Sequence, residues 1–103
     1  MEIIWSDEAF KRWCEAADHI ISQFGISAVE KFQKNTEEWE ETLSQSPSIG
    51  RVEPLLKGRT RLYRSIVINK LNKLIYYIED KTIIIADFWD TRREPKAQAN
   101  QIQ

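Results

Sequence analysis

The sequence is short of the residue types that most small functional domains depend on. Among 103 residues there is one cysteine, Cys14, and one histidine, His19. A single thiol excludes an internal disulfide, and this pair is too few for a Cys/His zinc site. No metal and no cofactor are expected. The longest wholly apolar run is Ile83-Ile84-Ile85-Ala86, far short of the roughly 20 residues that span a bilayer. Met1-Glu2-Ile3-Ile4 lacks the basic start of a secretory signal, so a cytoplasmic protein with no membrane partner is expected. Only three glycines and three prolines interrupt a chain that is 42% hydrophobic and 30% charged, a balance that excludes disordered and fibrous classes. Such a length supports one core, burying roughly 65% of the unfolded surface. We expect one domain over residues 1–95 and a polar tail over 96–103.

Net charge is nearly absent too, at −1, which disfavours a generic nucleic-acid binder. That total hides a division. Residues 1–53 hold five basic and eleven acidic side chains, whereas residues 54–103 hold ten basic and five acidic. From Lys57 to Ile78 there are six cations and no acid. Such asymmetry suggests a face meant for an anion. The structural alternative is that acidic helices sit against a basic sheet and neutralise it.

Glu2-Ile3-Ile4-Trp5 is β-prone. Ser6 then offers an N-cap, with Asp7 and Glu8 in the first turn where the helix dipole favours negative charge. Phe10, Trp13, Ala17, Ile20, Ile21 and Phe24 recur at helical spacing, so 7–24 is an amphipathic helix closed by Gly25. Ser27 and Glu30 suggest a capping box for a second helix, with a buried stripe of Val29, Phe32, Thr36, Trp39 and Leu43. Residues 45–60 hold two prolines and two glycines and read as a long loop, a common location of function. Strands follow over 62–68, 73–79 and 82–89, the last two joined by the two-residue turn Asp80-Lys81. The order β-α-α-β-β-β predicts an α+β two-layer domain, a helix hairpin packed on one face of a mostly antiparallel sheet. The other sheet face is expected to be the surface left for function.

Arg61, Arg64, Lys73 and Arg92 are the cations expected on or beside the sheet, with Lys57 and Arg59 arriving from the loop. Planar guanidinium groups suit phosphate because each binds two oxygens at once. The structural alternative pairs Arg64 with Asp87 or Glu79 across the sheet. His19 lies off the apolar stripe and reads as solvated, and Cys14 as a packing residue. Ser44, Ser46 and Ser48 lack a His–acid pair, which removes a serine hydrolase. Glu37, Glu38, Glu40 and Glu41 bracket Trp39 as a solvated helix face. Trp89 ends a strand beside Asp90, placed for exposure.

Several segments recur together: Ile4-Trp5-Ser6-Asp7-Glu8-Ala9, Ser46-Pro47-Ser48-Ile49-Gly50-Arg51, Tyr63-Arg64-Ser65, Leu74-Ile75-Tyr76-Tyr77 and Phe88-Trp89-Asp90-Thr91-Arg92-Arg93-Glu94-Pro95. In this order and spacing the chain resembles the RelE/ParE superfamily of toxins from bacterial type II toxin–antitoxin (plasmid stabilisation) systems. The resemblance implies a small cytoplasmic toxin in a hetero-oligomer with a cognate antitoxin, which wraps an extended or helical segment around it. RelE-like members cut messenger RNA on the ribosome by attack of a 2′-hydroxyl on the adjacent phosphate. Arg64, Lys73 and Arg92 match the positions of their catalytic cations. Asp90 stands where those enzymes often have a histidine, and no tyrosine follows Tyr77. An aspartate does not replace an imidazole acid at neutral pH unless its pKa is strongly raised. ParE-like members instead bind and inhibit DNA gyrase and need no catalytic set. The expectation is therefore gyrase inhibition, with Lys57, Arg59, Arg61, Trp89, Asp90 and Arg93 as target- or phosphate-binding residues. A metal-independent mRNA endoribonuclease and a non-toxic interaction or RNA-binding domain are the alternatives.

Overall fold

In the computed structural model, which describes residues 1–93, 98–100 and 102, strand β1 (Glu2–Trp5) leads directly into helix α1 (Asp7–Phe24). The Ser6 hydroxyl accepts from the Ala9 amide, as the N-cap signal requires. Gly25 ends α1 at φ +91° and its amide donates to Ile21 O, a conformation that side-chain-bearing residues avoid. Helix α2 (Ile26–Gln45) starts at the very next residue, so the expected capping box does not form. Ser27 lies inside the first turn, and Gly25, with no side chain to donate an oxygen, holds the N-cap position.

Beyond α2 the chain forms a two-residue strand β2 (Arg51–Val52), a single 3-10 turn (Pro54–Leu56), then β3 (Arg64–Val67), β4 (Asn72–Glu79) and β5 (Thr82–Asp90). The strand β2 lies inside what the sequence marks as loop. The sheet order is β1-β5-β4-β3-β2, with β1 parallel to β5 and every other pair antiparallel. The expected helix-hairpin-on-sheet α+β architecture is what the chain adopts. Asp80 and Lys81 make the β4–β5 turn with φ of 48° and 64°, the doubly left-handed geometry that matches strand twist.

The main core lies between the helices and one sheet face. Ala9, Phe32 and Leu43 meet Ile66, Ile68, Leu74, Tyr76, Ile83, Ile85 and Phe88. Trp13 stacks on Phe32 at 5.2 Å between ring centroids and donates its indole N–H to Thr36 Oγ1. The α1 stripe is only partly used. Phe10, Ile21 and Phe24 remain exposed.

Two expectations about the strands need correction. Simple alternation puts Phe88 with Ile84, and Trp89 with Ile83 and Ile85. The ladder instead shifts from Ile75↔Asp87 to Tyr76↔Ile85, leaving Ala86 as an extra residue in a β-bulge. Ile83, Ile85 and Phe88 thereby all reach the helix-side core, and Trp89 turns to the far face. That far face is not open either. Leu56, Tyr63, Ile75, Trp89 and Ala99 form a second buried cluster there, with Tyr77, Ala86 and Ile102 at its margin. Gln98 and Ala99 of the expected polar tail are buried. The boundary expected at residue 95, and residues 94–97, 101 and 103, lie outside the described residues. No described helix is long and apolar enough to cross a membrane.

Candidate functional site

The cations singled out in the sequence are distributed over three places. On the far sheet face, Lys73 Nζ lies 2.7 Å from Glu53 Oε1. Glu53 is 1% exposed and also accepts from Ser65 Oγ at 3.2 Å. The same ammonium group lies 5.7 Å above the Trp89 ring. Trp89 is 2% exposed, not a free strand end, and its indole N–H donates to Asp87 Oδ2. Asp87 is also paired with Arg12 Nε of α1 at 3.2 Å. Arg59 reaches the C-terminal segment, donating to Ala99 O and Ile102 O. Gln98 makes two bonds with the Asp90 main chain. Lys57 is exposed on the loop beside this cluster.

At the β3 edge, Arg61 covers the Tyr77 ring at 4.5 Å and lies 3.7 Å from Glu79. Arg64 does not take either of the acids expected for it. Asp87 belongs to Arg12 and Trp89, Glu79 to Arg61, and Arg64 Nη1 donates to Gly50 O at 2.8 Å. Arg61 and Arg64 share a hollow of about 310 Å³ with Ser48, Thr60 and Tyr77. This hollow is set by the segment around Gly50, which Tyr76 anchors. The Tyr76 hydroxyl donates to Pro47 O at 2.7 Å and accepts from Gly50 N at 2.9 Å. Burial pushes the Tyr76 phenol pKa up, keeping it a neutral donor.

The third place is a groove of about 580 Å³ bounded by α1, α2 and the end of β4 and β5. Asp90, Arg92 and Arg93 form one wall. Asp90 accepts from the Arg92 main chain and from its guanidinium through both carboxylate oxygens. The Arg92 hydrogen bonds hold the Asp90 carboxyl below its ordinary value. It is ionised at neutral pH and is no general acid in this state. Lys70, at φ +67°, stands in the turn above this wall, where Thr91 Oγ1 donates toward the Lys70 and Leu71 carbonyls.

A polar chain and a tight turn thus anchor the sheet, while one broad groove stays open beside the helices. The model for the ParE toxin of the type II toxin–antitoxin system parDE matches residues 3–95. The chain belongs to the ParE toxin family. Among solved structures, a chain of the chromosomal ParDE system from P. aeruginosa is similar with a TM-score of 0.70 at 18% identity, over 87% of this chain and 95% of that one. The YoeB dimer of Staphylococcus aureus is similar with a TM-score of 0.58 at 24% identity, over 84% and 92%. A YoeB–YefM complex from Staphylococcus aureus gives a TM-score of 0.55 at 20% identity, over 85% and 93%. At these identities the likeness is one of fold. No curated protein matches this ParE-family chain in sequence.

Sequence reasoning missed Glu53, Asp87 and the Gly50–Tyr76 contact as organisers of this ParE-family fold. Glu53 had a visible signal: it is the single acid between Glu41 and Glu79, beside the basic run. Asp87 had none, since its partner Arg12 is 75 positions away in the sequence. Among the described residues no group of three or more His, Cys, Asp or Glu side chains is arranged to hold a metal ion.

Proposed function

We propose that this ParE-family chain is the toxin of a type II toxin–antitoxin pair, held inactive by its cognate antitoxin, and that it acts by binding DNA gyrase. The observation that carries the binding mode is the commitment of the would-be catalytic cations. Lys73 is held by buried Glu53, Arg92 by Asp90, and Arg64 by the Gly50 carbonyl, in three separate places. RNA cleavage by 2′-hydroxyl attack needs a base, phosphate-binding cations and an acid around one reacting centre. The described residues bring no such set together, and the carboxyl in the usual histidine position is ionised. A target bound through surface complementarity needs none of this.

The test uses purified protein and gyrase. Supercoiling should stop and cleaved DNA complexes should accumulate as the chain is added. Undiminished supercoiling at excess chain would count against gyrase as the target. A second reading, ribosome-dependent mRNA cleavage, rests on the hollow lined by Arg61, Arg64, Ser48, Thr60, Tyr77 and Glu79, which gathers two arginines and two hydroxyl-bearing residues. Cleavage of mRNA in a translation extract, lost in Arg64→Ala, would support it. Expression without growth arrest would instead mark a non-toxic interaction domain.

A further inference from the structure

Helix α1 carries two apolar series side by side. One, Ala9, Trp13, Ala16 and Ile20, belongs to the core beneath the helix. The other is Phe10, Cys14, Ala17, Ile21 and Phe24, spaced by four, three, four and three residues. That alternation is the seam of a coiled coil, a stripe that stays on one side of a helix over several turns. The fold uses it only in part. Cys14 and Ala17 are half-buried, whereas Phe10, Ile21 and Phe24 are 56%, 43% and 73% exposed. Large apolar side chains gathered on one surface mark a contact with another protein.

The stripe's own pattern says what fits it. From Phe10 to Ile21 it runs large, small, small, large, at spacings of four, three and four, so it is the same from either end. A second copy of α1 running antiparallel sets Phe10 against Ile21 and Cys14 against Ala17. The small pair then lies at the centre, where two helix axes approach to about 8–10 Å. The charges agree. Lys11 and Asp18, seven residues apart, lie along one flank of the stripe. Both are exposed, and neither is in an ion pair among the described residues. In the antiparallel arrangement Lys11 of each copy faces Asp18 of the other. The two are offset by two residues, roughly 3 Å along the axis, which a lysine side chain spans. A parallel copy would instead turn this flank toward the opposite flank of its neighbour, where Trp13 and Ile20 are packed against the core.

We propose that α1 pairs antiparallel with α1 of a second copy of this chain, through Phe10, Cys14, Ala17 and Ile21, with two Lys11–Asp18 ion pairs on the rim. Such a two-fold interface is self-complementary and closes at two copies. It lies on the helix layer and depends on neither target considered above.

Sedimentation velocity of the full chain over a concentration series, in reducing buffer so that Cys14 forms no covalent link, tests this. The wild-type chain should move to twice the monomer mass as its concentration rises. Phe10→Lys and Ile21→Lys alter exposed positions, so both should keep the wild-type circular dichroism spectrum and stay monomeric over the same range. Lys11→Asp and Asp18→Lys should each weaken the dimer by about 2- to 30-fold, the worth of two exposed ion pairs, and the two combined should restore it. A wild-type chain that stays monomeric throughout would overturn the proposal. So would a dimer unchanged by Ile21→Lys, since the contact would then lie elsewhere. If the combined exchange recovers nothing that the single ones lost, the antiparallel register is wrong.

Discussion

Lys73 occupies a position where related ribonucleases place a catalytic cation, so its replacement separates a structural role from a chemical one. Its ammonium lies 2.7 Å from Glu53 Oε1, and the Glu53 side chain is 1% exposed. Replacing Lys73 with alanine leaves a carboxylate in a dry place with only the Ser65 hydroxyl on its other oxygen. Breaking one side of a buried pair costs about 3–5 kcal/mol. For a domain near 100 residues each kcal/mol lowers the melting temperature by about 4–8 °C, so a fall of roughly 12–40 °C is expected. Truncation also removes the ammonium that lies over the Trp89 ring. The double variant Lys73→Met with Glu53→Gln removes both charges and keeps the volume, and should regain most of that loss, since a buried pair can be exchanged for neutral groups at little cost. Thermal denaturation followed by circular dichroism, with the summed fluorescence of the four tryptophans as a second probe, measures both. A Lys73→Ala protein that melts within about 2 °C of wild type, well inside the range of ordinary surface substitutions, would refute the claim that the pair is buried and structural. It would return Lys73 to the list of free phosphate-binding cations.

Gly50→Ala should destabilise the chain by about 1–3 kcal/mol, because its Cβ would lie 2.6 Å from the Tyr76 hydroxyl and 3.0 Å from Ser65 O. Tyr76→Phe should cost about 1–3 kcal/mol by leaving the Gly50 amide and Pro47 carbonyl without their partner, and both losses are read by urea denaturation. Lys81→Gly should stabilise the β4–β5 hairpin by about 1 kcal/mol, since residue 81 sits at φ 64° where a side chain is strained, and a raised melting temperature checks it. Asp90 has a folded pKa held below its ordinary value by Arg92. Its contribution to stability is therefore present above the unfolded pKa and lost as pH falls through the folded one. Carboxyl titration by NMR should find Asp90 ionising below the ordinary carboxylate value in wild type and moving up in Arg92→Ala.

Much of this architecture was legible from local pattern. Helix α1 and its cap follow from Ser6 and the three- and four-residue apolar steps, and the β4–β5 turn from the shortness of Asp80-Lys81. The same reasoning failed at Ser27, where a glycine two residues earlier moved the helix start, and at Ala86, where one bulged residue exchanged the faces of Phe88 and Trp89. Of the candidate site, the individual cations were readable but their partners were not. Glu53, Asp87 and Gln98 are brought to Lys73, Arg12 and Asp90 by the closing of the sheet.

Residue periodicity, caps and charge by halves were properties of the sequence itself, because they depend on neighbours within a turn or along a strand. From them came the helix hairpin, the element order apart from the short β2, and the division into acidic and basic halves. Tertiary structure alone decided which cations remain free. An ion pair forms between groups that the fold brings within a few ångströms, whatever their separation in sequence. The low count of cysteine and histidine excluded whole chemistries at the outset. The sheet then removed Lys73 and Trp89 from the exposed surface, and left a groove lined by Phe24, Phe88 and Arg93 open beside the helices.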